Sequence, residues 1–133
     1  MRNGLTLIEI MVVVVILGII AAIVAANIGD KPDIVAARLT ETDLRKLKGE
    51  VELFKADYRR YPDSLQDLVH RPSWVEAKHW HEYRDEVPVD GWKRPYRYSV
   101  PGTRGRFDIV SLGADGLEGG EGVNADLWSH PPK

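Results

Sequence analysis

The stretch GLTLIEIMVVVVILGIIAAIVAAN, residues Gly4–Asn27, decides how the rest of this chain is organised. Only Thr6 and Glu9 interrupt its apolar character before Asn27. At roughly 1.5 Å per residue, a helix over Leu5–Ala26 is about 33 Å long, which is enough to cross the hydrocarbon core of a bilayer. The sequence after Asp30 is polar enough for water. We therefore predict an N-terminal membrane helix that carries a soluble head.

Glu9 is the unusual residue of this stretch. A carboxylate inside an apolar run costs about 2.5 kcal/mol or more near the bilayer centre and less near an interface. One interpretation is a functional residue with a charged partner, and the other is a side chain that reaches back to the headgroups. The composition of the stretch leaves both interpretations open.

Two ordinary explanations for the apolar run also have to be considered. One is a secretory signal peptide with a short basic region and a small-residue cleavage site near Ala25 and Ala26, and the other is a plain single-pass anchor. A signal peptide usually has about 7–15 apolar residues and needs no carboxylate among them, which argues against the first explanation.

Length and composition limit the remaining possibilities. The chain has 133 residues, which leaves room for one domain beyond the apolar run. Its net charge of −2 gives no reason to expect a nucleic-acid partner, and the absence of Cys excludes disulfides. We find no nucleophile or metalloprotease motif and therefore expect no enzyme.

A second helix is predicted from about Asp33 to Arg59. Its apolar residues recur at spacings of three, four or eight and predict one buried stripe, formed by Val35, Leu39, Leu47, Val51, Phe54 and Tyr58. Together with the apolar run this gives one nearly continuous helix of about 50 residues, with a weak point at Gly29–Pro32.

The second half of the chain predicts short elements and loops. Ser64 or Asp63 can cap a short helix that ends near His70. Two alternating runs, Pro95–Val100 and Arg106–Ser111, flank a Pro- and Gly-containing turn and predict a β-hairpin within a sheet of two or three strands.

His79 and His81 are a weak candidate for a metal site. Their spacing places both on one side of an extended segment, but no third ligand lies nearby in the sequence. Packing of these residues within the loop is the better interpretation.

The tail from Leu112 to Trp128 alternates oxygen-bearing side chains with five glycines. Hard cations such as calcium take six to eight oxygen ligands, and Gly lets the backbone bend so that carbonyls can join them. The spacing is not that of an EF-hand, because Asp115 is followed directly by Gly116. An acidic, solvated loop without metal remains the alternative on composition alone.

Two groups of motifs resemble one known family. The segment GLTLIE resembles the processing motif of type IV pilins and pseudopilins. The tail SLGADGLEGGEGVNADLW, Tyr61-Pro62, the segment Pro88–Trp92 and the Phe107-Asp108 strand resemble the major (G-type) pseudopilins of type II secretion. This resemblance implies an α+β, type IV pilin-like fold, in which one long N-terminal helix packs on a small antiparallel β-sheet with a calcium-binding C-terminal loop.

The resemblance also implies a division of the chain. Residues 1–4 would be a prepilin leader, residues 5–30 the half of the helix that lies in the membrane or in the filament core, and residues 31–133 a periplasmic head. A prepilin peptidase would cut after Gly4 and methylate Leu5. The carboxylate of Glu9 would then pair with the cationic N-terminus of a neighbouring subunit during assembly.

The same resemblance implies a set of calcium ligands in the tail. They would be the side chains of Asp115, Asn124 and Asp126 and the carbonyls of Leu112 and Leu117. The family more often has Asp where Asn124 stands, and a neutral amide oxygen should weaken the affinity. The family's usual D-P-W-G step is replaced by Asp90-Gly91-Trp92-Lys93.

The implied function is that of a subunit that polymerises into the periplasmic pseudopilus of a type II secretion system and drives export of folded proteins. Its partners would be copies of itself, minor pseudopilins, the inner-membrane secretion platform and the prepilin peptidase. It would span the bacterial inner membrane once. The alternatives are a type IV pilus pilin and a periplasmic binding module with a signal peptide.

Overall fold

The computed structural model describes residues 3–28 and 31–132 and divides the chain into two units, Met1–Pro32 and Asp33–Lys133. The first unit holds helix α1, Leu7–Ile28. Its residues from Leu7 to Ala26 are all exposed although, apart from Glu9, they are apolar on every face, which is typical of a helix that is buried in a membrane or among other helices. Within the described residues, Leu7–Ala26 is the one segment that is helical, long and apolar enough to cross a membrane.

Helix α2 extends over Lys31–Tyr58, within two residues of the predicted bounds at each end. Pro32 lies in its first turn, where its missing N–H has no helical acceptor to lose. The prediction that α1 and α2 join through a weak point at Gly29–Pro32 concerns Gly29 and Asp30, which lie outside the described residues.

The predicted apolar stripe of α2 is correct in its second half and wrong in its first. Leu47, Val51 and Phe54 are fully buried, whereas Val35 and Leu39 are 56% and 61% exposed. At 3.6 residues per turn, the eight-residue step from Leu39 to Leu47 rotates the side chain by about 80°, away from the buried face. The buried face continues instead through Leu44, Thr40 and Ala36.

The predicted hairpin is confirmed, with shorter strands. Strand β1 is Arg97–Ser99 and strand β2 is Asp108–Ser111, and they pair antiparallel with Tyr98 opposite Ile109. A third strand, β3 at Leu127–Trp128, pairs antiparallel with β2 on its other side. β2 is therefore the central strand, and all four of its residues are buried.

The core lies between α2 and the sheet. It contains Leu47, Val51 and Phe54 of α2, Phe107 and Ile109 beside or within β2, and also Leu44, Leu65, Leu68 and Tyr96. Leu65–Leu68 forms a single 3₁₀ turn where a helix through His70 was predicted.

Candidate assembly and metal-binding sites

The N-terminus of α1 is closed by a capping box formed by Thr6 and Glu9. The Glu9 carboxylate accepts hydrogen bonds from the Thr6 backbone N–H at 2.7 Å and the Thr6 hydroxyl at 3.1 Å, and the Glu9 N–H donates to the Thr6 hydroxyl at 3.3 Å. These bonds satisfy N–H groups that the first helical turn leaves without partners. This role was not predicted from the sequence, although T-x-x-E before an apolar run is its signature.

The predicted cleavage site lies just before this cap. Gly4 and Leu5 precede the helix and are exposed. The carboxylate of Glu9 thus bonds to Thr6 at the start of its own helix. In the described residues no basic side chain is bonded to it.

The two arms of the tail loop, residues 112–126, approach each other. The Ala114 N–H donates to the Val123 carbonyl at 2.9 Å. The five glycines of the loop, Gly113, Gly116, Gly119, Gly120 and Gly122, all have positive φ. A Cβ atom at Gly113 would lie 2.8 Å from the backbone of Asn124 and Ala125, so glycine there allows the arms to meet.

The three predicted ligand side chains differ in their surroundings. Asp115 and Asn124 are exposed, and Asp115 accepts a hydrogen bond from the Leu117 N–H at 3.0 Å. One oxygen of Asp126 accepts from the Gly119 N–H at 3.0 Å, while its other oxygen, Oδ1, is buried without a hydrogen-bond partner in the described residues. The described residues contain no cluster of three His, Asp or Glu side chains suited to a metal. The predicted calcium ligands include only two carboxylates, so the absence of such a cluster does not test them.

Arg94 joins the first arm of the loop to a turn before β1. Its two terminal nitrogens donate to the carbonyls of Gly113 and Ala114, each at 2.9 Å. Sequence reasoning missed this contact because Arg94 lies about 20 residues before the loop.

The turn itself is organised by Asp90. One oxygen of Asp90 accepts from the N–H groups of Trp92 and Arg94 at 3.0 and 2.9 Å, and the other accepts from the Ser111 hydroxyl at 2.7 Å. The Gly91 N–H donates to the hydroxyl of Thr40 on α2 at 2.8 Å. Helix, turn, central strand and loop are therefore linked by one chain of hydrogen bonds.

Asp108 forms a second buried polar centre, at the start of β2. Its carboxylate accepts hydrogen bonds from the N–H groups of Thr103, Arg104 and Gly105 and from the Thr103 hydroxyl. Burial opposes ionisation, but these donors outweigh it and lower the pKa of Asp108. The ring of His130 lies 3.9 Å from the same carboxylate.

Arg84 ties the loop before the turn to α2. It donates to Glu50 at 2.9 Å and to Asp43 at 2.8 Å, and the Tyr96 hydroxyl donates to Asp43 at 3.0 Å. Burial, together with the nearby Asp43 charge, raises the pKa of the Tyr96 phenol. These groups are mutually satisfied, so we assign them to the stability of the head.

His79 and His81 contact different carboxylates. His79 lies 3.7 Å from Glu76, while His81 lies 3.4 Å from Asp57 and packs on the ring of Tyr83 at 4.4 Å between centroids. This arrangement agrees with loop packing, the interpretation favoured by the sequence.

Comparison with known proteins decides between the families that the sequence left open. Residues 1–25 match the prokaryotic N-terminal methylation motif, and residues 27–130 match type II secretion system (T2SS) protein G. The chain belongs to the type II secretion system protein G family.

Individual members of the protein G family match over nearly their whole length. The type II secretion system core protein G of Pseudomonas aeruginosa is 42% identical over 132 residues, which cover 95% of this chain and 93% of that protein. The core protein G of Vibrio cholerae is 39% identical, with 95% and 90% covered. The crystal structure of the major pseudopilin from the type 2 secretion system of enterohaemorrhagic Escherichia coli matches with a TM-score of 0.58 and 28% identity, covering 76% of this chain and 90% of that one.

Membership of the protein G family and the match to a solved pseudopilin confirm the pilin-like fold. The family consists of structural pseudopilin subunits. The methylation motif followed by one apolar helix fits a membrane-anchored member.

Proposed function

We propose that this protein is a major pseudopilin, which polymerises into the periplasmic pseudopilus of a type II secretion system and so drives export of folded proteins across the outer membrane. The observation that carries the proposal is the succession of two matches, the methylation motif over residues 1–25 and protein G over residues 27–130.

The exposed apolar surface of α1 supports a helix that exchanges one apolar environment for another. Leu7–Ala26 would contact lipid in the inner membrane and neighbouring helices in the filament core. A head-to-tail contact that does not close into a ring produces an open helical filament. The head, from residue 31 onwards, would lie in the periplasm, with minor pseudopilins and the inner-membrane platform as further partners.

Processing would prepare the N-terminus for this assembly. A prepilin peptidase would cut after Gly4 and methylate the amine of Leu5. Within a filament the carboxylate of Glu9 would be buried, and a buried charge requires a partner. The cationic N-terminus of Leu5 on a neighbouring subunit has the opposite charge and would supply that partner.

Mass analysis of the N-terminus tests the proposal. The protein is purified from membranes and from filament fractions released from the periplasm of a bacterium with an active type II system. We expect the mature chain to begin at N-methylated Leu5 in both fractions. A chain that begins near Asn27 would indicate a signal peptide, and a chain that keeps residues 1–4 in filaments would contradict the processing step.

We further propose that the tail loop holds one calcium ion. The side chains of Asp115, Asn124 and Asp126 and the carbonyls of Leu112 and Leu117 would be the ligands. The residues fit a hard cation: all are oxygen donors, and Asp126 Oδ1 is buried without a hydrogen-bond partner in the described residues. A buried carboxylate oxygen without a partner is unfavourable, and a cation would be the partner that the described residues do not provide.

Chelation tests the calcium proposal. All four Trp residues lie between residues 74 and 128, so Trp fluorescence of the full chain in detergent reports unfolding of the head. At 100 times its Kd, calcium should add about 2.7 kcal/mol to the free energy of unfolding and raise the melting temperature. Asp126→Asn should abolish this rise, whereas Asp85→Asn, an exposed change elsewhere, should preserve it. Equal melting temperatures of the unaltered protein in calcium and in excess chelator would refute the site.

A further inference from the structure

We infer that Arg94 is a positioning residue for the tail loop, because its guanidinium fixes the first arm of the loop in the conformation that the cation requires. The inference rests on the proposed calcium site, which it deepens. Arg94 is not one of the predicted calcium ligands.

The contact between Arg94 and the loop is a two-point contact. The guanidinium group donates to two successive carbonyls, those of Gly113 and Ala114, at 2.9 Å each. Two bonds from one planar group fix both the position and the orientation of the peptide units that they contact. Gly116 leaves room for this group, since a Cβ atom there would lie 3.0 Å from it.

Arg94 is itself held in place. Its N–H donates to Asp90 at 2.9 Å, and its carbonyl accepts from the Asp90 N–H at 2.8 Å. The other oxygen of Asp90 accepts from Ser111, the last residue of β2. The guanidinium therefore extends from a turn that is bonded to the central strand directly before the loop begins.

The predicted ligands lie on both sides of the carbonyls that Arg94 holds. Leu112 and Asp115 flank Gly113 and Ala114 in the sequence, so fixing the two middle residues limits where the flanking oxygens can point. The same contact engages the carbonyls of Gly113 and Ala114 and leaves those of Leu112 and Leu117 as the predicted backbone ligands.

Two physical effects of Arg94 have opposite signs. Its positive charge repels a nearby cation and by itself would weaken binding. Its fixed contacts reduce the conformational entropy that the loop loses on binding, and this strengthens binding. The positioning role requires the second effect to exceed the first.

Calorimetric titration of the full chain in detergent with calcium chloride separates these effects. We expect Arg94→Ala and Arg94→Lys each to raise the Kd at least tenfold, because lysine keeps the charge but not the planar two-point contact. Arg106→Ala, which removes an exposed arginine outside the turn and loop, should change the Kd less than twofold. Tighter or unchanged binding by Arg94→Ala would overturn the inference.

Hydrogen exchange in excess chelator provides a readout that does not depend on calcium. The Ala114 N–H is bonded to Val123, so its exchange reports the closure of the loop. Arg94→Ala should accelerate exchange in a peptide covering residues 112–126 but not in one covering residues 65–84, and Arg106→Ala should accelerate neither. If the unaltered protein binds no calcium, the calcium proposal fails, and this exchange still decides whether Arg94 holds the loop. Unchanged exchange in residues 112–126 would refute the inference.

Discussion

At the scale of single residues, Lys93 has a backbone conformation that is unfavourable for a residue with a Cβ atom. Its φ is 65°, in the left-handed region, where a Cβ atom lies too close to the following carbonyl oxygen. The turn is nevertheless closed, because the Lys93 N–H donates to the Asp90 carbonyl at 3.0 Å. Glycine adopts a left-handed backbone without this cost, so the strain arises from the side chain of Lys93.

Lys93→Gly should therefore stabilise the head. Relief of the left-handed strain contributes about 1–2 kcal/mol, and the greater freedom of glycine in the unfolded chain offsets part of it, so we expect a gain of about 1 kcal/mol. Thermal unfolding followed by Trp fluorescence would show this as a rise of a few degrees. As a control, Lys46→Gly in the middle of α2 should lower stability by about 1 kcal/mol. A lower melting temperature for Lys93→Gly would contradict the assignment of strain.

Asp108 and His130 make the stability of the head depend on pH. Burial lowers the pKa of His130, and Lys48 adds to this, although Asp108 and Glu52 act in the opposite direction. The unfolded chain then binds more protons than the folded one just below pH about 6.5, so stability falls as the pH falls through this range. The lowered pKa of Asp108 adds a second loss of stability below pH about 4.

Melting temperatures measured from pH 8 to pH 3 test this dependence. His130→Gln should flatten the decline between about pH 7 and pH 5 relative to the unaltered protein. Asp108→Asn should cost about 2 kcal/mol at pH 7, because it removes hydrogen bonds to a charged group, and should flatten the decline below pH 4. An unchanged pH profile for His130→Gln would contradict the assignment of this decline to His130.

At the scale of elements, local patterns predicted what each segment forms but only part of the side that it buries. The 3.6-residue period of α2 and the alternation of the hairpin strands are properties of short stretches, and both elements were confirmed. The burial of Thr40 depends instead on a turn about 50 residues later. The hydroxyl of Thr40 accepts a hydrogen bond from the Gly91 N–H in that turn. The pattern of apolar residues along the helix therefore does not predict that this polar residue is buried.

Gly91 sets how closely that turn approaches α2. A Cβ atom at this position would lie 2.3 Å from the Ala36 carbonyl oxygen and 2.8 Å from two other backbone atoms of Ala36. Because backbone atoms cannot move aside as a flexible side chain can, Gly91→Ala should force the turn away from the helix. We expect a loss of about 2–3 kcal/mol in the free energy of unfolding.

Gly49→Ala provides the matched control for this prediction. Gly49 is exposed in the middle of α2, and a Cβ atom there would have no neighbour within 4 Å. Alanine favours the helix by about 0.8–1 kcal/mol over glycine, so this variant should be more stable. Denaturant unfolding of both variants gives the two free energies, and a loss smaller than 1 kcal/mol for Gly91→Ala would mean that the turn can shift at little cost.

The candidate site shows the same limit of sequence reasoning. The loop at 112–126 could be recognised because its oxygen side chains and glycines lie in one stretch. Arg94 and Asp90 could not, because only the folded sheet brings them to it. The Thr6–Glu9 cap could be recognised as well, because its T-x-x-E pattern lies in one stretch of four residues.

At the scale of the whole molecule, the chain has an apolar helix whose residues Leu7–Ala26 are all exposed. Lipid or other subunits must cover it. Glu9 lies near the start of this helix and has two candidate roles: it caps the helix, as observed, and it would pair with a neighbouring N-terminus in the proposed filament.

Two substitutions of Glu9 separate these roles. Glutamine at the third position of a capping box can still accept the N-cap hydrogen bond, so Glu9→Gln keeps the cap and removes the charge, whereas Glu9→Ala removes both. If pairing with the Leu5 amine drives assembly, both variants should insert in the membrane and be processed, but neither should form filaments, because each leaves the amine without its partner. Immunoblots of filaments released from the periplasm and of membranes measure assembly and insertion. Filaments formed by Glu9→Gln but not by Glu9→Ala would reduce Glu9 to a helix cap and place the force for assembly in the apolar surface alone.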